Sequence, residues 1–99
     1  MVTEITEKEF NEKISKGKVL VDCYAPWCGP CRMLGPVVEA VASENKEYSF
    51  YKLNVDDSEE VAVKYGIMSI PCILIFENGE LKNTSVGFKS KDELEELLK

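Results

Sequence analysis

The sequence predicts one α/β domain, in which helices cover a sheet with a largely parallel core and one antiparallel hairpin at its edge. Three observations lead to this prediction. A nearly unbroken apolar stretch over residues 19–24 is typical of a strand that is buried on both faces. Apolar side chains then recur at helical spacing at Leu34, Val38 and Val41. Asn78-Gly79 follows another apolar stretch and is a strong signal for a tight hairpin.

The first half of the chain supplies a strand, a short helix, the central strand and a long helix. A strand near residues 2–5 precedes Thr6 and Glu9, which have the spacing of a capping box. The helix that they open runs over about residues 7–16 and is ended by Gly17. After the central strand, Pro30 is suited to a first helical turn, so the long helix begins at the Cys-Gly-Pro-Cys segment.

Turn and cap signals divide the second half of the chain into shorter elements. Apolar and polar residues alternate over residues 49–55, which is typical of a strand. The elements that follow are a short helix opened by Asp57 and Glu60 and ended by Gly66, a strand over residues 72–76, its hairpin partner over residues 81–88, and a last helix capped by Ser90 and Glu93. The predicted order is therefore β-α-β-α-β-α-β-β-α.

Length, charge and composition exclude several classes of protein. A chain of 99 residues has the size of one domain, so we expect residues 1–99 to fold as a unit. The net charge of −6 disfavours nucleic acid and anionic membranes as partners. No apolar run approaches the length of a membrane span and the N-terminus has no basic, apolar leader, so we expect a cytoplasmic protein. The absence of histidine leaves Cys, Asp, Glu, Lys and Tyr for catalysis.

Cys28-Gly29-Pro30-Cys31 is the segment with the clearest chemical meaning, because it lies where a strand ends and a helix begins. Residues three apart in a first helical turn share a face, so the two sulfurs can approach disulfide distance. The free N–H groups and the dipole of a helix start stabilise a thiolate at the first cysteine. The same spacing also occurs in half of a zinc or iron–sulfur site, for which Cys23 and Cys72 are the other cysteines available, and in inert pairs.

The segment Ala25-Pro26-Trp27-Cys28-Gly29-Pro30-Cys31 resembles the active-site segment of the thioredoxin family. Further segments match in order and spacing almost from end to end: Val21-Asp22, Lys52-Leu53-Asn54-Val55-Asp56, Tyr65-Gly66-Ile67, Ile70-Pro71, Phe76-Glu77-Asn78-Gly79 and Val86-Gly87. The resemblance implies the thioredoxin fold, which is a central five-stranded mixed sheet flanked by four helices, and the function of a protein disulfide reductase. It also implies disulfide-containing protein substrates, a thioredoxin reductase as electron donor, no metal and a monomeric chain. Since the chain has no G-x-G-x-x-G fingerprint, we expect no bound flavin or nicotinamide and no other cofactor.

Asp22 is a carboxylate inside an apolar strand, where such a group is seldom buried without a partner or a role. Without the resemblance, the sequence allows Asp22 to be either a buried group or a strand-end residue that reaches water. For Lys52, a solvated side chain is the simpler interpretation. The resemblance implies that Asp22 lies behind Cys31 and exchanges a proton with it, with Lys52 beside it on the neighbouring strand. Burial should then raise the pKa of Asp22, and the charge of Lys52 should oppose that rise.

The resemblance also implies a substrate-binding surface around Pro71. It implies a cis Ile70–Pro71 bond that packs against the two cysteines and leaves the backbone of Ile70 open to pair with an extended substrate segment. Without the resemblance, a position of Trp27 in the hydrophobic core is an equally good prediction. The residues implied to complete the surrounding apolar surface are Trp27, Gly29, Pro30, Ile67 and Gly87.

In the cycle that the resemblance implies, Cys28 attacks a substrate disulfide and Cys31 releases the reduced product. We expect Cys28 to be the more exposed sulfur. Gly29 and Pro30 place no histidine between the cysteines, which favours reduction over oxidation. Two other functions stay open at this point: a metal- or Fe–S-binding module, and a binding-only module without turnover.

Cys23 and Cys72 depart from the commonest pattern of the family, which has a large aromatic residue and a threonine at these positions. Free cysteine is a small and readily buried hydrophobe, so core filling is the simplest interpretation for both. For Cys72, which follows Pro71 directly, oxidation, adduct formation or a role as an extra metal ligand also stays open.

Overall fold

Five strands form one mixed sheet at the centre of the computed structural model, which describes residues 1–99. The strands are β1 (Val2–Ile5), β2 (Lys18–Tyr24), β3 (Tyr48–Asn54), β4 (Cys72–Glu77) and β5 (Glu80–Val86). The α-helices are α1 (Phe10–Ile14), α2 (Gly29–Glu44), α3 (Glu59–Lys64) and α4 (Lys91–Leu97). None of these helices has the length and apolar content that a membrane span requires. The predicted α/β class and element order are confirmed, with strand ends shifted by one or two residues.

The strand order in the sheet is β1-β3-β2-β4-β5. β1, β3 and β2 run parallel, whereas β4 is antiparallel to both β2 and β5. The parallel part is therefore smaller than predicted. β4 begins beside the end of β2, where its first residue, Cys72, pairs with Cys23, and runs back from there.

β2 is buried on both faces, as its apolar stretch predicted. Cys23 projects into one core layer together with Phe10 of α1. Leu20 projects into the opposite layer, where it packs with Leu34 of α2. Because side chains alternate along a strand, Asp22 points to the same side as Leu20 and lies under α2. The central strand thus carries a carboxylate into the apolar space between the sheet and the long helix.

The first helix begins with the predicted capping box but is shorter than predicted. Oγ1 of Thr6 accepts a hydrogen bond from the N–H of Glu9 at 3.3 Å, and Oε1 of Glu9 accepts one from the N–H of Thr6 at 2.9 Å. The turn over Glu7–Glu9 is a 3₁₀ turn, and the α-helix spans only Phe10–Ile14 instead of residues 7–16. At its end the hydroxyl of Ser15 donates to the carbonyl of Glu12 at 2.7 Å, which satisfies a terminal acceptor.

Helix α3 also begins differently from the prediction. Asp57, which was predicted to open it, belongs to a 3₁₀ turn over Val55–Asp57, and the N-cap residue Ser58 makes no side-chain hydrogen bond. A distant residue supplies the cap, since the N–H of Val61 donates to Oε2 of Glu7 at 2.8 Å. The start of α3 is therefore fixed by a contact between elements and not by a local motif.

The β4–β5 hairpin and the last helix follow their local signals. Asn78 and Gly79 have φ angles of 51° and 86°, as a tight type I′ turn requires. Oδ1 of Asn78 accepts a hydrogen bond from the N–H of Gly17 at 2.8 Å, which ties the turn to the loop before β2. Ser90 and Glu93 form the predicted capping box at the start of α4.

Candidate active site

Cys28 and Cys31 lie at the start of α2, at the end of the sheet where β2 finishes. A turn leads the chain from β2 into the helix, and within it the N–H of Cys28 donates to the carbonyl of Ala25 at 3.1 Å. Cys28 is the N-cap residue, and its Sγ accepts the N–H of Cys31 at 3.2 Å. The two cysteines are joined as a disulfide, with their Cα atoms 5.2 Å apart. The predicted helix start and the predicted approach of the sulfurs are confirmed.

The surroundings of Cys28 favour a negative charge on its sulfur. The 16-residue helix α2 directs the positive end of its backbone dipole toward Cys28, and the N–H of Cys31 points at the sulfur. The expectation that Cys28 is the more exposed sulfur is wrong, because Cys28 and Cys31 are each 5% exposed. The two cysteines differ instead in the groups that surround them. The Sγ of Cys28 lies 3.9 Å from the carbonyl oxygen of Ile70, whereas Cys31 lines a cavity next to Asp22.

Asp22 is buried, with 4% of its surface exposed, so the interpretation as a strand-end residue that reaches water is wrong. Its Oδ1 atom has no hydrogen-bond partner within the protein. Burial raises the pKa of Asp22 to about 6, and the charge of Lys52 acts in the opposite direction. Both effects have the predicted sign. The carboxyl group can therefore gain or lose a proton near neutral pH.

A cavity of about 290 Å³ lies between Asp22 and Cys31. Lys52 lines it from β3, and Arg32 and Gly35 line it from α2. A cavity of this size has room for several water molecules, each of which occupies about 30 Å³ in the liquid. Asp22 and Cys31 thus line a common space through which a proton can pass.

Lys52 stands in a row of charged side chains that crosses three strands. It is the register partner of both Asp22 on β2 and Glu4 on β1. Its ammonium lies 5.9 Å from the ring centre of Tyr24, whose hydroxyl donates to Oε2 of Glu4 at 2.6 Å. Burial, together with this hydrogen bond, raises the pKa of Tyr24 to about 12, so the hydroxyl stays a donor. Lys52 is therefore a half-buried neighbour of Asp22 and not a freely solvated side chain.

Trp27 borders an open groove beside the disulfide. It is 68% exposed, so its interpretation as a core residue is wrong. Its Nε1–H donates to Oδ2 of Asp56 at 2.9 Å, which fixes the ring at the edge of the groove. The groove has a volume of about 650 Å³ and is lined mainly by apolar side chains, among them Trp27, Val55, Ala62, Ile67 and Ile70. Three of the predicted surface residues, Trp27, Ile67 and Ile70, line this groove. Gly29 and Pro30 lie on the first turn of α2 and are not part of the groove lining.

The loop before β4 presents a free stretch of backbone to this site. The Ile70–Pro71 bond is cis, as the resemblance implied, and Pro71 is buried. The N–H of Gly87 donates to the carbonyl of Pro71 at 2.8 Å, so Gly87 holds this loop in place. By contrast, neither the N–H nor the C=O of Ile70 makes a backbone hydrogen bond. The N–H of Ile70 therefore has no backbone partner, and its C=O has only the Sγ of Cys28, 3.9 Å away.

Three named relatives match the chain over nearly all of its length. The thioredoxin of Bacillus subtilis (strain 168) is 45% identical over 98 residues, which cover 98% of this chain and 94% of that protein. The thioredoxin of Mycoplasmoides gallisepticum is 45% identical over 97 residues, covering 96% of this chain and 97% of that protein. The thioredoxin of Chlamydia trachomatis is 41% identical over 98 residues, covering 99% and 96%. The family model described as Thioredoxin matches residues 1–99. The chain belongs to the thioredoxin family.

As a member of the thioredoxin family, the chain is a protein-disulfide oxidoreductase that works by dithiol–disulfide exchange through Cys28 and Cys31. The disulfide at the start of α2 is the oxidised form of this dithiol. A metal- or Fe–S-binding module is not favoured, because the side chains form no group of three or more metal ligands. A module without turnover is not favoured either, because the two sulfurs lie within bonding reach.

Several side chains at this thioredoxin site were not among the predicted residues. Asp56 fixes Trp27, and Tyr24 with Glu4 lies beside Lys52. Asp56 belongs to a segment that carried the resemblance, so a signal for it was present in the sequence. The contact between Tyr24 and Glu4 joins residues 20 positions apart on strands that are not neighbours in the sheet, and no local pattern indicates it.

Proposed function

We propose that this chain reduces the disulfides of other proteins and is itself reduced again by a thioredoxin reductase. The observation that carries the proposal is the position of the Cys28 sulfur, which sits at the N-terminus of α2 beside the unpaired backbone of Ile70. The direction of transfer is supported by Gly29-Pro30, which places no cation between the cysteines. A cation there would stabilise the reduced thiolate and make the disulfide a stronger oxidant.

The first step is an attack by the Cys28 thiolate on one sulfur of the substrate disulfide. A bond forms between the Sγ of Cys28 and that sulfur, while the other substrate sulfur leaves as a thiolate. The dipole of α2 and the N–H of Cys31 support this role, because they stabilise the anion before it attacks. The product of the step is a mixed disulfide between the chain and its substrate.

Cys31 completes the exchange. Its thiol loses a proton, and the sulfur attacks the Sγ of Cys28, which forms the internal disulfide and releases the second substrate sulfur as a thiolate. Asp22 is the proposed proton acceptor, because it lines the same cavity as Cys31. A pKa of about 6 leaves Asp22 ionised at neutral pH yet basic enough to take the proton. Two electrons pass from the dithiol to the substrate in each cycle.

Replacing Lys52 by glutamine is expected to raise the pKa of Asp22 further. The Lys52 charge lowers this pKa, so its removal leaves the effect of burial unopposed. The measurement is an NMR titration of the Asp22 carboxyl carbon in both chains. Lys18→Gln, which removes an exposed lysine at the far end of β2, should leave the titration unchanged. An ordinary model-peptide pKa for Asp22 in the parent chain would contradict both its desolvation and its proposed role.

The substrate is proposed to bind as an extended segment beside Ile70. The unpaired N–H and C=O of Ile70 support a short strand addition, in which main-chain hydrogen bonds give affinity without requiring a particular sequence. Pro71 and Gly87 hold the loop that presents these groups. The residues proposed to form the substrate-binding surface are Trp27, Gly29, Pro30, Ile67, Ile70, Pro71 and Gly87.

A disulfide peptide methylated on the amide that donates to Ile70 is expected to react less efficiently than its parent. The loss of one hydrogen bond, worth about 1 kcal/mol, lowers kcat/KM about fivefold. The measurement compares kcat/KM for peptides that each carry one N-methyl group. Methylation of the adjacent amide is the control, because successive amides of an extended strand point in opposite directions. Equal rates for both methylated peptides would rule out strand addition at Ile70.

The proposed partners are proteins. The net charge of −6 supports protein substrates and a reductase over nucleic acid or an anionic membrane. We propose that residues 1–99 act as a single domain and as a monomer, with no cofactor of their own. A cytoplasmic location is proposed because a reducing carrier serves a compartment in which thiols are kept reduced.

A further inference from the structure

Cys23 and Cys72, the two cysteines outside the exchange reaction, face each other across neighbouring strands. They are direct register partners in the antiparallel pair of β2 and β4. Both side chains belong to the same core layer, so they point to the same side of the sheet. No local pattern in the sequence indicates this contact, because only the register of β4 against β2 brings Cys23 and Cys72 together.

The geometry of an antiparallel pair suits a bond between these two sulfurs. Directly opposed residues have Cα atoms about 4.5–5.5 Å apart, which lies inside the usual range for a disulfide of about 4.4–6.8 Å. Their Cβ atoms lie about 4.5–5.5 Å apart, and a disulfide draws them to about 3.5–4.5 Å. A small inward movement of the two strands is therefore enough for Cys23 and Cys72 to bond.

Burial keeps this pair out of ordinary exchange with substrates. Cys23 is 0% exposed and Cys72 is 1% exposed. Burial raises the pKa of both thiols, and the nearby Cys72 raises that of Cys23 further. A substrate protein cannot reach sulfurs that are buried to this degree, and both thiols stay protonated while they are buried. Only a small oxidant that reaches the pair through a local opening can act on it.

The pair also sits where such an opening is easiest. Cys23 and Cys72 are the last register pair of the β2–β4 ladder, and Cys72 is the first residue of β4 after Pro71. The ends of a ladder open more readily than its middle. Since Cys72 borders the loop and Cys23 lies on the central strand, Cys72 is the sulfur that an oxidant reaches first.

We propose that Cys23 and Cys72 form a second disulfide site, a buried dithiol that hydrogen peroxide closes. Once a local opening admits water and peroxide, the Cys72 thiol loses its proton. Its thiolate attacks one peroxide oxygen and becomes a sulfenic acid, and the other oxygen takes up the proton and leaves as water. The Cys23 sulfur then attacks the Cys72 sulfur, and the hydroxyl leaves as a second water. The two thiols lose two electrons and two hydrogens, and the peroxide gains both. The resulting bond joins β2 to β4 directly behind Pro71.

The test uses the full chain with Cys28→Ser and Cys31→Ser, so that the established exchange reaction is removed. The reduced protein is treated with an excess of hydrogen peroxide, quenched in acid, unfolded and labelled with a maleimide. We expect the mass of the protein before labelling to fall by two hydrogens. Both maleimide additions should be lost together, and digestion should yield a peptide that joins Cys23 to Cys72. The further replacement Cys72→Ser is the matched control, which should leave Cys23 open to one addition.

Three results would overturn the proposal: full labelling of both thiols after peroxide, oxygen added to Cys72 without a link to Cys23, or dimers joined through Cys72. If the double serine variant does not fold, disulfide mapping of the peroxide-treated parent chain tests whether Cys23 and Cys72 are linked. That chain should then contain two separate links, one between Cys28 and Cys31 and one between Cys23 and Cys72. Because the readout is the covalent bond itself, it does not depend on the proposed roles of Asp22 and Ile70.

Discussion

A Cys31→Ser chain is expected to stop after the first step and to accumulate a mixed disulfide with its substrate. A serine hydroxyl cannot attack the Sγ of Cys28 as a thiolate does, so reduction at steady state should fall by about 10³-fold or more. Cys28→Ser should be equally inactive but should form no mixed disulfide, because it removes the attacking sulfur. The measurement combines reductase-coupled reduction of a protein disulfide with the intact mass of acid-quenched samples.

Cys72→Ser is the matched control for these two variants, since it makes the same replacement at a cysteine outside the exchanging pair. It should retain turnover within a few-fold of the parent chain. Accumulation of a mixed disulfide through Cys31 in the Cys28→Ser chain would show that the roles of the two sulfurs are reversed. A reductase that fails to support turnover of the parent chain would contradict the proposed electron donor.

An Asp22→Asn chain is expected to be more stable than the parent by about 3 kcal/mol at pH 8 and slower to release its substrate. The pKa of Asp22 is about 6 in the folded chain against an ordinary 3.8, so the folded state binds more protons than the unfolded state between these values. Stability therefore falls as pH rises through that interval. Ionising the buried carboxyl costs about 1.4 kcal/mol of folding free energy per unit of pKa shift. Asparagine does not ionise, so the Asp22→Asn chain avoids this cost.

Unfolding by denaturant at a series of pH values checks this result. The two chains should have nearly equal stability below about pH 4, and the difference should grow until about pH 7 and then stay constant. Asp57→Asn changes the same atoms on an exposed side chain and should alter stability by less than about 0.5 kcal/mol at every pH. Single-turnover reduction should show an unchanged first step and a slower second one. Equal stability of the Asp22→Asn and parent chains at pH 8 would contradict the desolvation of Asp22.

The elements that the sequence predicted well are those governed by neighbouring residues. The capping boxes at Thr6 and Ser90, the turn at Asn78-Gly79 and the start of α2 at Cys28 all depend on atoms a few positions apart. The approach of Cys28 to Cys31 is of the same kind, since both lie in one helical turn. The resemblance added the features that need distant segments, such as the position of Asp22 beside Lys52.

The features that escaped prediction depend on how strands align across the sheet. The antiparallel direction of β4 against β2 sets Cys72 opposite Cys23. The hydrogen bond that Glu7 accepts from the start of α3 likewise appears only once the two elements pack together. The equal exposure of Cys28 and Cys31 is also a property of the packed site and not of their order in the helix.

Ile70 offers a client only one N–H and one C=O, which limits how firmly the client is held before reaction. Two main-chain hydrogen bonds contribute only about 1 kcal/mol each, so the encounter complex is short-lived. The transient sulfur–sulfur linkage then acts as the tether, and its cleavage by Cys31 leaves little to retain the product. Release of this kind avoids product inhibition and lets one small carrier serve many clients in succession.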